Sequence, residues 1–136
     1  MRVVIDTNAL LACFRKQGEY RAIWDALLDE KFELAVSSEI LLEYEEIFIR
    51  RITPAIASRL MLILQDQPNL IHTKVFFRWN LITADPDDNK FVDTAISARV
   101  RFVVSNDKHF AVLKTIDFPS VEVIMLDEFL EEVRAL

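Results

Sequence analysis

The sequence predicts an α/β fold, a three-layer α/β/α sandwich around a central parallel sheet. Three observations predict it. Short β-branched apolar runs recur along the chain, as in Val3-Val4-Ile5 and Val103-Val104. They are too continuous for strands with one wet face and fit strands covered on both faces. The stretches between them carry helix start signals, which implies crossover connections between parallel strands. Only one Gly and four Pro occur in 136 residues, so most of the chain should lie in regular elements with tight connections.

The elements follow in order. Residues 2–5 read as a buried strand. Residues 8–14 and about 19–30 read as helical, broken near Gln17-Gly18. Residues 33–36 form a second strand, and Ser37-Ser38-Glu39 open a helix through about Arg51 with serine as its cap. Thr53-Pro54 starts the next helix, to about Gln67, with proline at the first helical position and Pro68 beyond its end. Residues 70–82 are ambiguous, with Leu70-Ile71-His72 a short-strand candidate. Asp85-Pro86-Asp87-Asp88 is a turn feeding a helix over about 89–99. Residues 101–105 are a strand, 107–114 a short helix, 121–126 a last strand and 127–135 a closing helix.

No repeat, linker or low-complexity run divides the chain, so residues 1–136 read as one domain. A hydrophobic fraction of 52%, with ten Phe and two Trp, is enough for a core without disulfides or structural metals. The single cysteine, Cys13, lies among apolar neighbours and excludes both an internal disulfide and a Cys-based zinc site. Met1 to Asp6 lacks the apolar core of a secretory leader, and no stretch approaches the ~20 apolar residues of a membrane span. The expectation is a cytoplasmic protein with no membrane contact. Gly18, the sole glycine, cannot build a phosphate-cradling loop, which excludes P-loop and dinucleotide functions.

The net charge of −6 speaks against simple electrostatic attraction to nucleic acid. That argument reverses if acids cluster and hold cations. In parallel sheets, ligands sit beyond the C-terminal ends of the strands. Asp6 directly follows Val3-Val4-Ile5, and Asp107 lies two residues beyond Val103-Val104-Ser105. Asp88 begins the helix before that strand, and Glu43 lies one turn into the helix after residues 33–36. At about 100° per residue, Ile40 and Ile47 lie near the direction of Glu43, which puts it at the margin of the buried face. Each acid also has a local alternative: Asp6, Asp88 and Asp107 as helix caps, Glu43 as one charge of a solvated face. Taken together, four carboxylates at one sheet edge would repel one another unless cations were present. Hard oxygen donors in that number suit Mg²⁺ or Mn²⁺, which activate water and stabilise charge on a phosphate. His72 and His109 form no spaced pair, which argues against a histidine-based zinc site.

Val3-Val4-Ile5-Asp6-Thr7-Asn8, Glu43, Asp85-Pro86-Asp87-Asp88-Asn89-Lys90-Phe91 and Val103-Val104-Ser105-Asn106-Asp107 occur in an order and spacing that resembles the PIN-domain family over nearly the whole chain. Within it, the chain resembles bacterial PIN proteins that serve as toxins of toxin–antitoxin systems. The resemblance implies a Rossmann-like sandwich and an Mg²⁺- or Mn²⁺-dependent endoribonuclease. It implies Asp6, Glu43, Asp88 and Asp107 as the catalytic, metal-binding acids, with Asp93 a candidate further ligand. Asn8 and Ser105 match polar residues that support those acids, and a one-residue slip would exchange Asp87 for Asp88. It also implies a homodimer and a cognate antitoxin partner. Arg15, Lys16 and Lys108, and less directly Arg50 and Arg51, are candidate RNA phosphate contacts. The sequence departs from the family at Ala98-Arg99-Val100-Arg101, where a glycine is common, and Phe76, Phe77 and Trp79 match no motif. Those aromatics, beside Lys74 and Arg78, either stack on bases or pack in a core or dimer interface.

Two other function classes compete. A haloacid-dehalogenase-type phosphatase wants Asp-x-Asp after the first strand, where this chain has Asp6-Thr7-Asn8; a phospho-accepting receiver wants an acid after a middle strand and a later lysine. A non-catalytic binding module would have no need of all four acids.

Overall fold

The computed structural model describes all residues, 1–136. Its order is β1 (Arg2–Ile5), α1 (Thr7–Ala12), α2 (Arg21–Leu28), β2 (Glu33–Val36), α3 (Ser38–Arg51), α4 (Pro54–Gln65) and β3 (Leu70–His72). Then follow a 3-10 turn at Pro86–Asp88, α5 (Asn89–Ala98), β4 (Phe102–Val104), a 3-10 helix at Lys108–Thr115, β5 (Val123–Ile124) and α6 (Leu126–Arg134). The five strands form one parallel sheet in the order β3-β2-β1-β4-β5. Helices flank it, as the alternation of elements predicts. No helix is long and apolar enough to cross a membrane.

The central strands of this parallel sheet are covered on both faces by the crossover helices and are accordingly apolar. Val3, Val4, Ile5, Leu34, Ala35, Val36, Val103 and Val104 are all wholly buried. β1 is central, with Val3 opposite Leu34 on one side and opposite Phe102 on the other. From β1 the chain first builds outward through β2 and β3, then returns to place β4 on the opposite side. That reversal opens a crevice at the C-terminal ends of β1 and β4, where α/β sheets bind ligands.

The helices start where the sequence punctuates them. Ser37 accepts the Ile40 N–H at 3.3 Å, and Thr53 accepts the Ile56 N–H at 3.4 Å ahead of Pro54. The apolar stripe of α3 buries Ile40, Tyr44 and Phe48. Phe14 stands edge-on to both Trp24 and Phe48, with ring centroids 4.7 and 4.9 Å away, and so joins the first helical segments to α3. Truncating Phe48 to alanine would cost about 3–5 kcal/mol, since its side chain is wholly enclosed. α5 packs against β1, β2 and β4 and touches α3, which brings its N-terminus towards the β1–β4 crevice.

Several boundaries differ from the sequence reading. The helix expected over 19–30 is confined to Arg21–Leu28, because Glu30 turns left-handed at φ 58°. The last strand, expected over 121–126, keeps only Val123–Ile124. It is an edge strand, paired to Val103 and Val104 alone, and Glu128 accepts the Met125 N–H to begin α6 one residue earlier than expected. The helix expected at 107–114 is 3-10 rather than α. Residues 73–83 adopt no regular element.

Candidate metal centre and its flanking clefts

Asp6 leaves β1 in extended conformation and caps α1, its Oδ1 accepting the Ala9 N–H at 2.8 Å. Its Oδ2 accepts a hydrogen bond from Ser105 Oγ, at the end of the neighbouring strand β4. The capping role and membership of a cluster are thus both present in one carboxylate. Burial pushes the Asp6 pKa up, opposed by the bonds from Ser105 and Ala9 and reinforced by the charges of Asp107 and Glu43.

Asp107 caps the following 3-10 helix, accepting the His109 N–H at 2.9 Å, while its own N–H donates to Ser105 Oγ at 3.0 Å. Ser105 therefore links the two strand-end acids.

Asp88 ends the 3-10 turn, occupies the cap position of α5 and makes no side-chain cap bond. Its side chain therefore does not serve as the helix cap that was its local alternative. Its carboxylate turns into the crevice, where Oδ2 is buried without a hydrogen-bond partner. Desolvation raises its pKa to about 7, with the charges of Asp85, Asp107 and Asp6 adding to the effect and His109 opposing it. The two neighbouring acids differ in where they face. Asp87 is outward and exposed, and Lys90 Nζ donates to it at 3.0 Å, which lowers its pKa.

Glu43 reaches the group from α3. One carboxylate oxygen accepts from Thr7 Oγ1, next to Asp6, and the other accepts from Lys90 Nζ at 2.7 Å. Asp6, Glu43, Asp88 and Asp107 are thus brought to one edge of the sheet from four separate segments. Asp93 is not among them. It accepts the Trp79 N–H at 3.0 Å, and its raised pKa comes first from burial.

Three residues of this region were missed or discounted in the sequence. His109 Nδ1 lies 3.2 Å from Asp107 Oδ1, 3.6 Å from Asp88 Oδ2 and 3.8 Å from Asp85 Oδ2. It is nonetheless buried without a hydrogen-bond partner, and its contacts to Asp88 and Asp85 are too long to be hydrogen bonds. Asp85 shapes its turn as expected, accepting the Asp87 N–H at 3.3 Å, and also joins Asp88 and His109 in a group whose donor atoms lie within 4.8 Å of one another. Lys90 is the third. Its position three residues after Asp87 was the one available signal.

A divalent cation fits this donor set. The site offers carboxylate oxygens from several directions, and it leaves Asp88 Oδ2 and His109 Nδ1 buried and unpartnered, a costly state unless another group satisfies them. Two clefts flank the acids. The smaller, about 360 Å³, is lined by Asp6, Asn8, Tyr20, Asn106 and Asp107. The larger, about 580 Å³, runs past Lys74, Phe76, Arg78, Asp87, Lys90 and Asp93. Asn8 is exposed, as are Arg15, Lys16 and Lys108.

The model of the PIN domain family matches residues 2–109. The chain belongs to the PIN domain family. PIN domains are typically nucleases. The fold of this PIN domain is shared with VapBC2 from Rickettsia felis, solved bound to a DNA fragment from their promoter, at 18% identity and a TM-score of 0.64 over 92% of this chain and 98% of that one. FitAcB from Neisseria gonorrhoeae matches at 16% identity and a TM-score of 0.59, covering 90% of this chain and 96% of its own. The PIN domain endonuclease Utp24 matches at 18% identity and a TM-score of 0.56, covering 91% and 84%. No curated protein matches the sequence.

Proposed function

We propose that this PIN domain is a metal-dependent endoribonuclease, acting as the toxin of a toxin–antitoxin pair. The observation that carries the nuclease reading is the meeting of Asp6, Asp88 and Asp107 at the β1–β4 crevice, with Asp88 Oδ2 left unpartnered there. Asp6, Asp88 and Asp107 would hold Mg²⁺ or Mn²⁺, with Glu43 the fourth acid of the centre. When bound, such an ion acts as a Lewis acid toward a phosphodiester and makes water a better nucleophile.

The chain's own residues do the positioning. Ser105 and the Ala9 N–H fix the Asp6 carboxylate, and Thr7 fixes Glu43. The larger cleft is the proposed path for single-stranded RNA, with Lys74 and Arg78 near phosphates and exposed Phe76 as a stacking surface. Arg15, Lys16 and Lys108 would add phosphate contacts on the exposed rim. The toxin role, a cytoplasmic location, a homodimer and an antitoxin partner are supported by the sequence's resemblance to bacterial PIN toxins and by the fold shared with VapBC2 and FitAcB.

The test is cleavage of a mixed RNA pool with Mn²⁺ or Mg²⁺, followed by end sequencing. Wild type should cut, EDTA should stop it, and Asp6→Asn should lose at least about a hundredfold in rate. Equal cleavage by Asp6→Asn would sink the reading.

A further inference from the structure

Glu43 was read from the sequence as a metal ligand, yet each of its carboxylate oxygens already accepts a hydrogen bond. Thr7 Oγ1 donates to one oxygen, and Lys90 Nζ donates to the other at 2.7 Å. The pair is well enclosed, with the Lys90 side chain 12% exposed and that of Glu43 18%. Withdrawing Lys90 would leave the Glu43 charge enclosed and uncompensated. The unpartnered donor atoms lie elsewhere, on Asp88 and His109 beside Asp107 and Asp85.

We propose that Lys90 is a built-in cation of the centre, paired with Glu43 in place of a second divalent ion, so that each chain holds one metal ion. This rests on the nuclease reading above. A divalent ion against Glu43 would face the Lys90 ammonium at short range and be repelled by it. Lys90 also lines the larger cleft, so its charge borders the path proposed for RNA phosphates. A covalently attached cation keeps that charge in place at any metal concentration.

The experiment is Mn²⁺ titration of the metal-stripped protein by isothermal calorimetry, with free Mn²⁺ counted by electron paramagnetic resonance. Wild type should bind one ion per chain. Glu43→Gln should bind one ion with its dissociation constant changed by less than about tenfold, below the loss expected on removing a supporting or coordinating group. Lys90→Met should admit a second ion, and Lys90→Arg should restore the count to one. Two ions in wild type, a loss of about tenfold or more in Glu43→Gln, or a single ion in folded Lys90→Met would overturn the assignment. If circular dichroism shows Lys90→Met unfolded, wild type and Glu43→Gln decide it. Two ions in wild type would leave the nuclease reading intact, whereas no binding by wild type would remove both.

Discussion

The phenol of Tyr44 donates to the carbonyl of Ile5 at 2.5 Å, inside a fully buried contact between α3 and the last residue of β1. Asp6 follows Ile5, and Glu43 precedes Tyr44. One hydrogen bond therefore fixes the separation of the elements that carry two of the four acids. Tyr44→Phe leaves the Ile5 carbonyl without this donor and should cost about 1–3 kcal/mol. Urea unfolding would measure it, and an unchanged midpoint would show that the bond contributes nothing net.

Ser105 bridges the acids of β1 and β4. Its hydroxyl donates to Asp6 and accepts from the Asp107 N–H. Ser105→Ala removes a bond that lowers the Asp6 pKa and loosens the carboxylate. Mn²⁺ affinity should fall about tenfold or more while the fold persists. Calorimetric titration beside a thermal melt separates the two effects.

Asp93 gives a pH prediction. Burial raises its folded pKa above the ordinary value of an aspartate. A carboxyl group with a raised folded pKa favours the fold most below its unfolded pKa, and that contribution is lost as pH rises through the folded pKa. Asp93→Asn should therefore melt higher than wild type at pH 7.5 and no higher at pH 3.5, since the amide oxygen can still accept the Trp79 N–H. The variant should also retain cleavage, because Asp93 lies apart from the other acids. Loss of Mn²⁺ binding would return it to the ligand set.

Phe76 is 87% exposed at the larger cleft. Phe76→Ala should leave stability within about 0.5 kcal/mol. It should weaken binding of a short single-stranded RNA by roughly fivefold or more, the low end of one lost stacking contact. Fluorescence anisotropy in an Asp6→Asn background reads binding without cleavage.

In the stretch Ala98-Arg99-Val100-Arg101, where the family resemblance leads one to expect a glycine, Arg99 has a φ of 54°, a conformation that invites one. A side chain in the left-handed region is disfavoured by ~1–2 kcal/mol, offset in part by the extra unfolded freedom of glycine. Arg99→Gly should stabilise the protein by up to about 1 kcal/mol, measured by denaturant unfolding.

The parts of this molecule legible in sequence are those set by neighbouring residues. Val3-Val4-Ile5 followed by Asp6 announces a buried strand with a charge at its tip, and Val103-Val104-Ser105 does the same for Asp107. The illegible parts depend on distant partners. Lys90 meets Glu43 across 47 residues, and the spacing to Asp87 beside it marks only a local ion pair, not this one. The sequence marks His109 only as lacking a spaced histidine partner, because Asp85 and Asp88 come to it from the turn ahead of α5. Asp87 and Asp88 cannot be told apart as letters; the 3-10 turn points one outward and the other inward. The Val121–Leu126 run promised a longer strand than an edge position with one short neighbour can pair.

The placement of β4 has a consequence for when this protein can act. Asp6 and Ser105 are joined across 99 residues, because β4 docks beside β1 only after most of the chain has been made. A growing chain that ends before Phe102 carries Asp6, Glu43 and Asp88 but has neither Asp107 nor the strand that aligns it. Neither half of the polypeptide, divided in the irregular stretch 73–83, holds the complete set of acids. A synthesising cell would thus meet the assembled acids only after the chain has passed β4 and folded, and mixing the two halves would turn the assembly of the sheet into something an activity assay can time.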